Sequence, residues 1–163
     1  MQGTRITERL DAEGVPYRRL PFTRPALTVE ALAREQGVAL DEMVKAILLR
    51  EQSGPRRCAM ACVLGADRVD PQAVRASLPA GEGWRRLTFA SAEEIAEVTG
   101  CAPGTVAPLC LPPGVPVVFD EAIAARETVN MASGDVGFGL ELARADLVRL
   151  AAPRYAPIAK AGA

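Results

Sequence analysis

The 163 residues of this chain include no histidine. That absence excludes Ser-His and Cys-His nucleophilic machinery and removes the commonest general base. Positive charge comes almost entirely from arginine: there are seventeen Arg and two Lys, Lys45 and Lys160. Lysine is a compact point charge whose pKa can shift, whereas arginine is a planar fork that stays charged. Lys45 is therefore the first candidate functional residue.

The apolar run around Lys45, Met43–Leu49, predicts a β-strand. In a strand Lys45 shares a face with Ile47 and Leu49, because side chains alternate between the two faces. The ammonium then either lies tucked among apolar side chains or lines the floor of a cleft. A lysine on a strand is usually an edge or snorkelling residue. The local pattern leaves both interpretations open.

Two segments of small residues could present backbone donors. The Gly/Pro loop Gly100–Pro108 has glycines at 100 and 104, and glycine lets N–H groups face inward without a screening side chain. Such groups can hold a carbonyl oxygen or a phosphate. The segment Asn130–Asp135 leads from a predicted strand into a turn that contains Ser133 and Gly134. Taken alone, each segment is equally compatible with a plain turn.

The four cysteines, Cys58, Cys62, Cys101 and Cys110, are expected to be reduced thiols. Cys58 and Cys62 alternate with Met60 and Leu64 in an apolar strand-like run, which favours core packing. The cysteine spacing is not that of a zinc site, and no histidine is present to complete one. We therefore expect neither a metal nor a cofactor.

Length and composition favour one ordinary globular domain over residues 1–163. Hydrophobic residues make up 49% and charged residues 24%, and the net charge is −1. A near-neutral chain is not one that coats nucleic acid by charge alone, although a smaller basic patch is compatible with it. There is no apolar run of about 18 residues, which predicts no membrane span. The polar N-terminus lacks a secretory signal, and we expect a cytoplasmic protein.

The elements that must position Lys45 and the two small-residue segments alternate in type along the chain. Capping and glycine signals predict five helices: Thr4–Glu13, Thr28–Gly37, Asp70–Leu78, Ser91–Val98 and Arg144–Leu150. Apolar and β-branched runs predict seven strands: Val15–Phe22, Met43–Leu49, Cys58–Leu64, Trp84–Phe89, Val115–Phe119, Thr128–Met131 and Gly137–Leu142. The second and third strands are expected to pair as a hairpin. Residues 151–163 are expected to form a frayed tail.

In this order the motifs resemble the YbaK/aminoacyl-tRNA deacylase family, the prolyl-tRNA synthetase-associated editing domain. The resemblance runs from Thr4 to Leu150, and the most specific pieces are Val44-Lys45, Val98-Thr99-Gly100-Cys101, Pro103-Gly104, Val106-x-Pro108 and Phe119-Asp120-Glu121. It implies a free-standing α/β mixed (α+β) domain. The expected fold is a mixed, partly closed barrel-like sheet of about seven strands flanked by about five helices.

The resemblance also implies an activity: hydrolysis of the ester that joins a wrong amino acid to the terminal ribose of a tRNA. In the family no protein nucleophile is assigned, and a water attacks with help from the substrate's own ribose hydroxyl. The residue tied most closely to activity corresponds to Lys45, which would contact the terminal nucleotide or the acyl carbonyl. The substrate-binding residues implied with it are Phe22, Thr28, Ala46, Gly100, Gly104, Thr105, Val106, Pro108, Ser133 and Gly134. The expected partners are the aminoacyl-tRNA acceptor end and a synthetase or elongation factor that delivers it.

Two departures from the family pattern leave the acyl group open. Many relatives carry a His in the stretch that corresponds to Thr23–Ala26, where this chain has Arg24, and many place Thr, Ser or Asn where Ala46 stands. The substrate could then be Cys, Ala, Ser or another small residue on tRNA(Pro) or a different tRNA. Two other functions stay open: a non-catalytic module that holds a nucleotide, a tRNA end or a synthetase, and a hydrolase of another small acyl ester. The presence of Lys45, Gly104 and Gly134 favours catalysis over the binding module.

Overall fold

The structure, a computed structural model, describes residues 2–22 and 28–161. Within that part of the chain, five α-helices alternate with β-strands: α1 Arg5–Ala12, α2 Val29–Gln36, α3 Pro71–Ser77, α4 Ala92–Thr99 and α5 Arg144–Ala151. The strands are β1 Tyr17–Pro21, β2 Val44–Glu51, β3 Cys58–Leu64, β4 Arg68–Val69, β5 Leu87–Phe89, β6 Val117–Asp120, β7 Thr128–Ala132, β8 Phe138–Ala143, β9 Arg154–Ala156 and β10 Ala159–Lys160. Short 3₁₀ turns span Leu40–Glu42, Ala80–Glu82 and Glu121–Ala125.

All five predicted helices are confirmed, and capping explains where several of them begin and end. The hydroxyls of Thr4, Thr28 and Ser91 each accept a hydrogen bond from the backbone N–H three residues later. A polar cap of this kind satisfies one of the N–H groups that a helix start leaves without a partner. α2 and α4 end at Gly37 and Gly100, whose φ angles of 68° and 73° lie in the left-handed region that glycine tolerates.

The strands form three sheets. The largest has the order β5-β2-β3-β6-β9, with β2 and β3 antiparallel, as the predicted hairpin requires, and β3, β6 and β9 parallel. The second, β1-β8-β7, is antiparallel throughout, and β4 pairs with β10. A single parallel bridge between Met43 and Asn130 joins β7 to the start of β2. The first two sheets therefore meet beside Lys45.

Side-chain alternation along β2 and β3 separates two cores. Val44, Leu48 and Cys62 point into the first core, and Leu49 and Val63 point into the second. Because β3 has packing on both faces, its nearly continuous apolar sequence is explained. The first core is completed by α1, α5 and the irregular segment 100–116, and the second by α3 and the segment around Trp84.

The predicted partial closure into a barrel is not confirmed, because the sheets described are open. β1, β5 and β9 remain at sheet edges. Side chains from helices and from irregular structure fill the space that a closed sheet would enclose. They are Ile6 and Leu10 from α1, Leu147 from α5, and Val106 and Leu109 from the irregular segment. Burial of these residues satisfies the inner face of the sheet without edge-to-edge pairing.

The prediction of a frayed C-terminal tail is wrong. β9 extends the large sheet beside β6, and β10 pairs with β4. Ile158 between them is fully buried, and the N–H groups of Ile158 and Ala159 donate to Oδ1 of Asp120 at 3.0 and 3.1 Å. The tail thus covers the second core. In the described residues, no helix is both long and apolar enough to cross a membrane.

Candidate functional site

Lys45 lies near the start of β2 and is partly buried. Its Nζ donates a hydrogen bond to the carbonyl oxygen of Asp67 at 2.5 Å, in the turn that follows β3. Burial lowers the pKa of the Lys45 ammonium, and the carboxylates of Asp67 and Glu30 act against that shift. An ammonium has three donors, and within residues 2–22 and 28–161 Lys45 uses one of them, for Asp67, which leaves two for a ligand.

The bridge between β2 and β7 identifies the residues that share a face with Lys45. Bridge partners point to the same face of a sheet, and alternate residues of a strand do too. Lys45 therefore points to the same side as Met43 and its partner Asn130. On β7 and β8, Ala132 and its partner Gly139 follow with the same orientation. We call this surface, with Lys45, Asn130, Ala132 and Gly139, the Lys45 face.

Helix α2 covers the Lys45 face. Nε2 of Gln36, at the end of α2, donates to the carbonyl of Leu20 at 3.4 Å. A side chain at Gly139 would place its Cβ 2.8 Å from Gln36 Nε2 and 3.6 Å from the Phe22 ring, so glycine permits this close approach. At the other end of the helix, the Glu30 carboxylate is near enough to affect the Lys45 pKa. The ammonium thus sits between α2, the sheet and the turn at residues 65–67.

Asn130 adds a polar group to this face. The residue is only 3% exposed, and its Nδ2 has no hydrogen-bond partner in the described part of the chain. Buried amide groups in folded proteins are nearly always hydrogen-bonded. The Asn130 amide is therefore a further candidate for contact with a bound polar group.

The Gly/Pro loop and the Ser133-Gly134 turn pack against each other. Gly134 N–H donates to the carbonyl of Thr105 at 2.9 Å, and the Thr105 hydroxyl donates to the Ala102 carbonyl at 2.7 Å. Val106 and Pro108 are buried. Gly104 has a φ of 83° and lies at an exposed turn, with no atom near the position of a Cβ. The hydrogen bond through Thr105 holds the loop beside the end of β7.

The Ser133 hydroxyl forms an internal hydrogen bond. Ser133 is fully buried, and its Oγ donates to the carbonyl of Phe138 at 2.6 Å. Its own carbonyl accepts a 2.6 Å hydrogen bond from the hydroxyl of Thr4. Since the Gly134 N–H is also used, this turn builds the end of β7 and has neither of these donors free for a ligand.

The structure brings some of the predicted site residues together and keeps others apart. Gly100 and Gly134 line a cavity of about 240 Å³ beneath α1, together with Cys101. In the described residues, no hydrogen bond joins Lys45 to the Gly/Pro loop. Ala46 packs on the first core, on the face opposite Lys45.

Two predicted positions lie at the edge of the described chain. Thr28 is exposed at the start of α2, and its hydroxyl caps that helix by accepting from the Ala31 N–H at 3.0 Å. The sequence departure at Thr23–Ala26, with Arg24, lies outside the described residues. No group of His, Cys, Asp and Glu in the described residues is arranged to hold a metal ion.

A family model for the aminoacyl-tRNA editing domain matches residues 23–150, the part of the chain that holds Lys45, the Gly/Pro loop and the Ser133-Gly134 turn. The chain belongs to the aminoacyl-tRNA editing domain family. The match confirms the family that the motifs predicted and, with it, the enzyme class of aminoacyl-tRNA deacylase.

The relatives of this editing domain include free and fused forms. The multifunctional Ser/Thr-tRNA deacylase ProXp-y of Escherichia coli is 28% identical over 151 residues, which are 91% of this chain and 87% of that protein. The proline–tRNA ligase of Stenotrophomonas maltophilia is 32% identical over 113 residues, 69% of this chain but 19% of the ligase. A crystal structure of a candidate trans-editing enzyme for prolyl-tRNA synthetase shares the fold, with a TM-score of 0.77 at 23% identity over 96% of this chain and 95% of that one.

Sequence reasoning missed the groups that hold the lysine of this editing domain. Asp67 supplies the carbonyl that accepts from Lys45, and Glu30 is one of the two carboxylates near it. The register of the predicted hairpin could have shown that Asp67 lies close to Lys45. Because Lys45 pairs with Val63, the turn that follows β3 must lie close to the lysine. For Glu30 the sequence contains no such signal, since the position of α2 depends on tertiary packing.

Proposed function

We propose that this editing domain hydrolyses the ester of a mischarged small-amino-acid tRNA and that Lys45 orients the substrate. One observation carries the proposal: within the described residues, Lys45 uses one of its three donors and lies on a partly buried face covered by α2, in a chain of the editing family. Burial lowers the pKa of the Lys45 ammonium because it removes water from the charged group. A phosphate or carbonyl oxygen bound at Lys45 would replace part of that lost water.

The proposed reaction uses water as the nucleophile. The water oxygen forms a bond to the acyl carbon, the bond from that carbon to the ribose oxygen breaks, and a proton ends on the ribose oxygen. The neighbouring ribose hydroxyl assists the attack, which suits a chain that contains no histidine. Lys45 holds the terminal phosphate or the acyl carbonyl so that water meets the ester in a productive geometry. A positioned donor of this kind is typically worth about 100-fold in rate.

The substrates proposed are tRNAs that carry Cys, Ala, Ser or Thr. Cys, Ala and Ser are the small residues compatible with the sequence, and Ser and Thr are named for the Escherichia coli relative. tRNA(Pro) is the first tRNA to test, because the chain also matches part of a proline–tRNA ligase. A prolyl-tRNA synthetase or an elongation factor would deliver the acylated end, and the cytoplasm would be the site of action.

The experiment is a panel of tRNAs, each charged with Cys, Ala, Ser, Thr or Pro, incubated with the purified protein. We expect release of at least one small amino acid faster than the uncatalysed background, with a correctly charged tRNA as the matched control. If no tRNA of the panel loses its amino acid faster than background, the proposal fails and the non-catalytic binding module is favoured.

A further inference from the structure

A second cavity lies far from Lys45, on the surface of the second core. It has a volume of about 690 Å³ and lies between α3, the turn at residues 80–82 and the segment that leads into β5. Arg75 and Arg86 line it together with the apolar side chains of Leu78, Trp84 and Leu87. No Asp or Glu is among its lining residues. The cavity therefore has two arginines at its rim and an apolar base, and the Glu82 carboxylate beside it accepts a hydrogen bond from Nε1 of Trp84 at 2.8 Å.

The arginines around this cavity have no acidic partners. Arg75, Arg85, Arg86 and Arg154 are exposed, and none of them forms an ion pair with a carboxylate of the described residues. Arg75 and Arg86 line the cavity, Arg85 precedes Arg86 and its side chain lies beside Gly54, and the Arg154 guanidinium donates to the carbonyl of Ser77 at the end of α3. We call these four residues the arginine patch. In a chain of net charge −1, it concentrates positive charge on one side of the molecule.

A buried carboxylate fixes the base of the patch without neutralising it. Glu51 is fully buried and accepts two hydrogen bonds from the Arg57 guanidinium, at 3.0 and 3.1 Å, and one from the Arg85 N–H at 2.8 Å. These bonds hold the pKa of Glu51 at about 2, chiefly through Arg57. Arg57 also stacks over the Trp84 ring at 4.3 Å. Glu51 therefore compensates the charge of Arg57, and its bond from the Arg85 N–H ties the backbone before Arg86 to the end of β2.

The arginine patch and Lys45 lie at opposite ends of one strand. The N–H of Gln52, which directly follows β2, donates to the carbonyl of Arg86 at 2.8 Å, so the patch adjoins the Glu51 end. Lys45 lies six residues before Glu51 in β2, and a strand of six residues spans roughly 20 Å at about 3.3 Å per residue. Lys45 also points to the side of the sheet on which α3 packs, since Leu49 and Val74 share the second core.

We infer that the arginine patch binds the phosphate backbone of the tRNA acceptor stem while the aminoacylated end lies at Lys45. The inference rests on the proposed function. If the ester is held at Lys45, the nucleotides next to it must cross the ~20 Å along β2 between Lys45 and the arginine patch. Exposed guanidinium groups without acidic partners match phosphate oxygens, which they bind as planar forks. Backbone contacts of this kind hold a nucleic acid in position without reading its sequence.

The test measures binding and needs no deacylation. Fluorescence anisotropy follows a labelled RNA hairpin with the sequence of the tRNA(Pro) acceptor stem, made with and without the single-stranded CCA end. The variants are Arg86→Gln and the double variant Arg75→Gln/Arg86→Gln. Arg149→Gln on α5 is the matched control, because it makes the same charge change on the side of the first core. Thermal unfolding checks that each variant is folded.

Arg86→Gln is expected to weaken binding of both RNAs roughly five- to tenfold at about 0.1 M salt. The slope of log affinity against log salt should fall by about one for each arginine that loses a phosphate contact. Unchanged affinity in the double variant, or an equal loss in Arg149→Gln, contradicts the inference and leaves an acidic protein surface as the occupant. A loss confined to the RNA with the CCA end also contradicts it. These results are independent of whether any tRNA in the panel is deacylated.

Discussion

At the scale of single residues, the environment of Lys45 explains why a lysine stands here in a chain rich in arginine. The ammonium is partly buried and donates to the carbonyl of Asp67 at 2.5 Å. A compact ammonium can meet one oxygen and keep two donors for a ligand, whereas a guanidinium presents a wider, planar set of donors. Burial and the two carboxylates, Asp67 and Glu30, then act in opposite directions on its pKa.

We predict that Lys45 titrates below the usual lysine pKa of about 10.4. Burial disfavours the charged form, and the Glu30 carboxylate favours it. Glu30→Gln should therefore lower the pKa of Lys45 further. NMR of side-chain-labelled lysine can measure this directly because the chain has two lysines, and Lys160→Arg assigns the remaining signal.

Glu93→Gln on α4 is the control for that titration, because it removes an exposed carboxylate elsewhere. It should leave the titration of Lys45 where it was. A Lys45 signal that titrates at or above the usual lysine value would contradict the partly buried position of the ammonium. An unchanged titration in Glu30→Gln would contradict the placement of α2 over the Lys45 face.

The sequence predicts single residues only where their type is unusual. Lys45 could be identified because a lone lysine in an apolar strand is uncommon in this chain. Asp67 could not, since it interacts through a backbone carbonyl, which every residue has. The committed hydroxyl of Ser133 could not be foreseen either, because its acceptor is set by the geometry of the β7–β8 turn.

At the scale of elements, the turn after β3 is what presents Asp67 to Lys45. Gly65 begins this turn with a φ of 56°, and its N–H donates to the carbonyl of Met43 at 2.8 Å. A Cβ at Gly65 would lie 2.9 Å from the carbonyl oxygen of Leu40, which is backbone and cannot rotate away. Both the conformation and the packing of this turn therefore require glycine.

Gly65→Ala is expected to destabilise the fold by about 2–4 kcal/mol, from left-handed strain and overpacking together. Gly83→Ala is the matched control, because Gly83 has a φ of 64° but open space around its Cβ position. It should cost about 1–2 kcal/mol, the conformational part alone. Urea unfolding of both variants measures the difference. Equal losses would show that Leu40 does not press on the turn.

Helices were easier to predict from sequence than strands, for a physical reason. Helix limits depend on local caps such as Thr4, Thr28 and Ser91, which can be recognised within four residues. β4, β9 and β10 are two or three residues long, and each exists because a distant strand supplies its partner. Such short pairings leave no periodic pattern in the sequence, which is why the tail was predicted to fray.

At the scale of the whole molecule, the length of β2 separates the proposed substrate site from the arginine patch. Lys45 lies at one end of β2, where the two larger sheets meet, and the arginine patch adjoins the other end. The irregular segment and α1 fill the first core on the opposite side. A chain of net charge −1 can then bind RNA on one side without being basic overall.

The position of Lys45 also limits what the sequence departures mean. Ala46, one of the two departures from the resemblance, packs on the first core and not on the Lys45 face. An alanine in place of a polar residue at position 46 would therefore affect substrate binding at Lys45 only indirectly, through the packing of the first core. The lysine itself, its carbonyl partner and the small residue Gly139 remain together under α2. This geometry supports the proposed role of Lys45 in orienting the substrate.

The central claim is tested most directly by single-turnover deacylation of the tRNA that the wild-type protein cleaves fastest. Lys45→Ala should lower the rate by about 100-fold, and Lys45→Arg should not restore it, because the guanidinium differs in shape and donor geometry. Lys160→Ala, which removes the other lysine from an exposed position, should retain the wild-type rate. A wild-type rate in Lys45→Ala would contradict the role assigned to this residue.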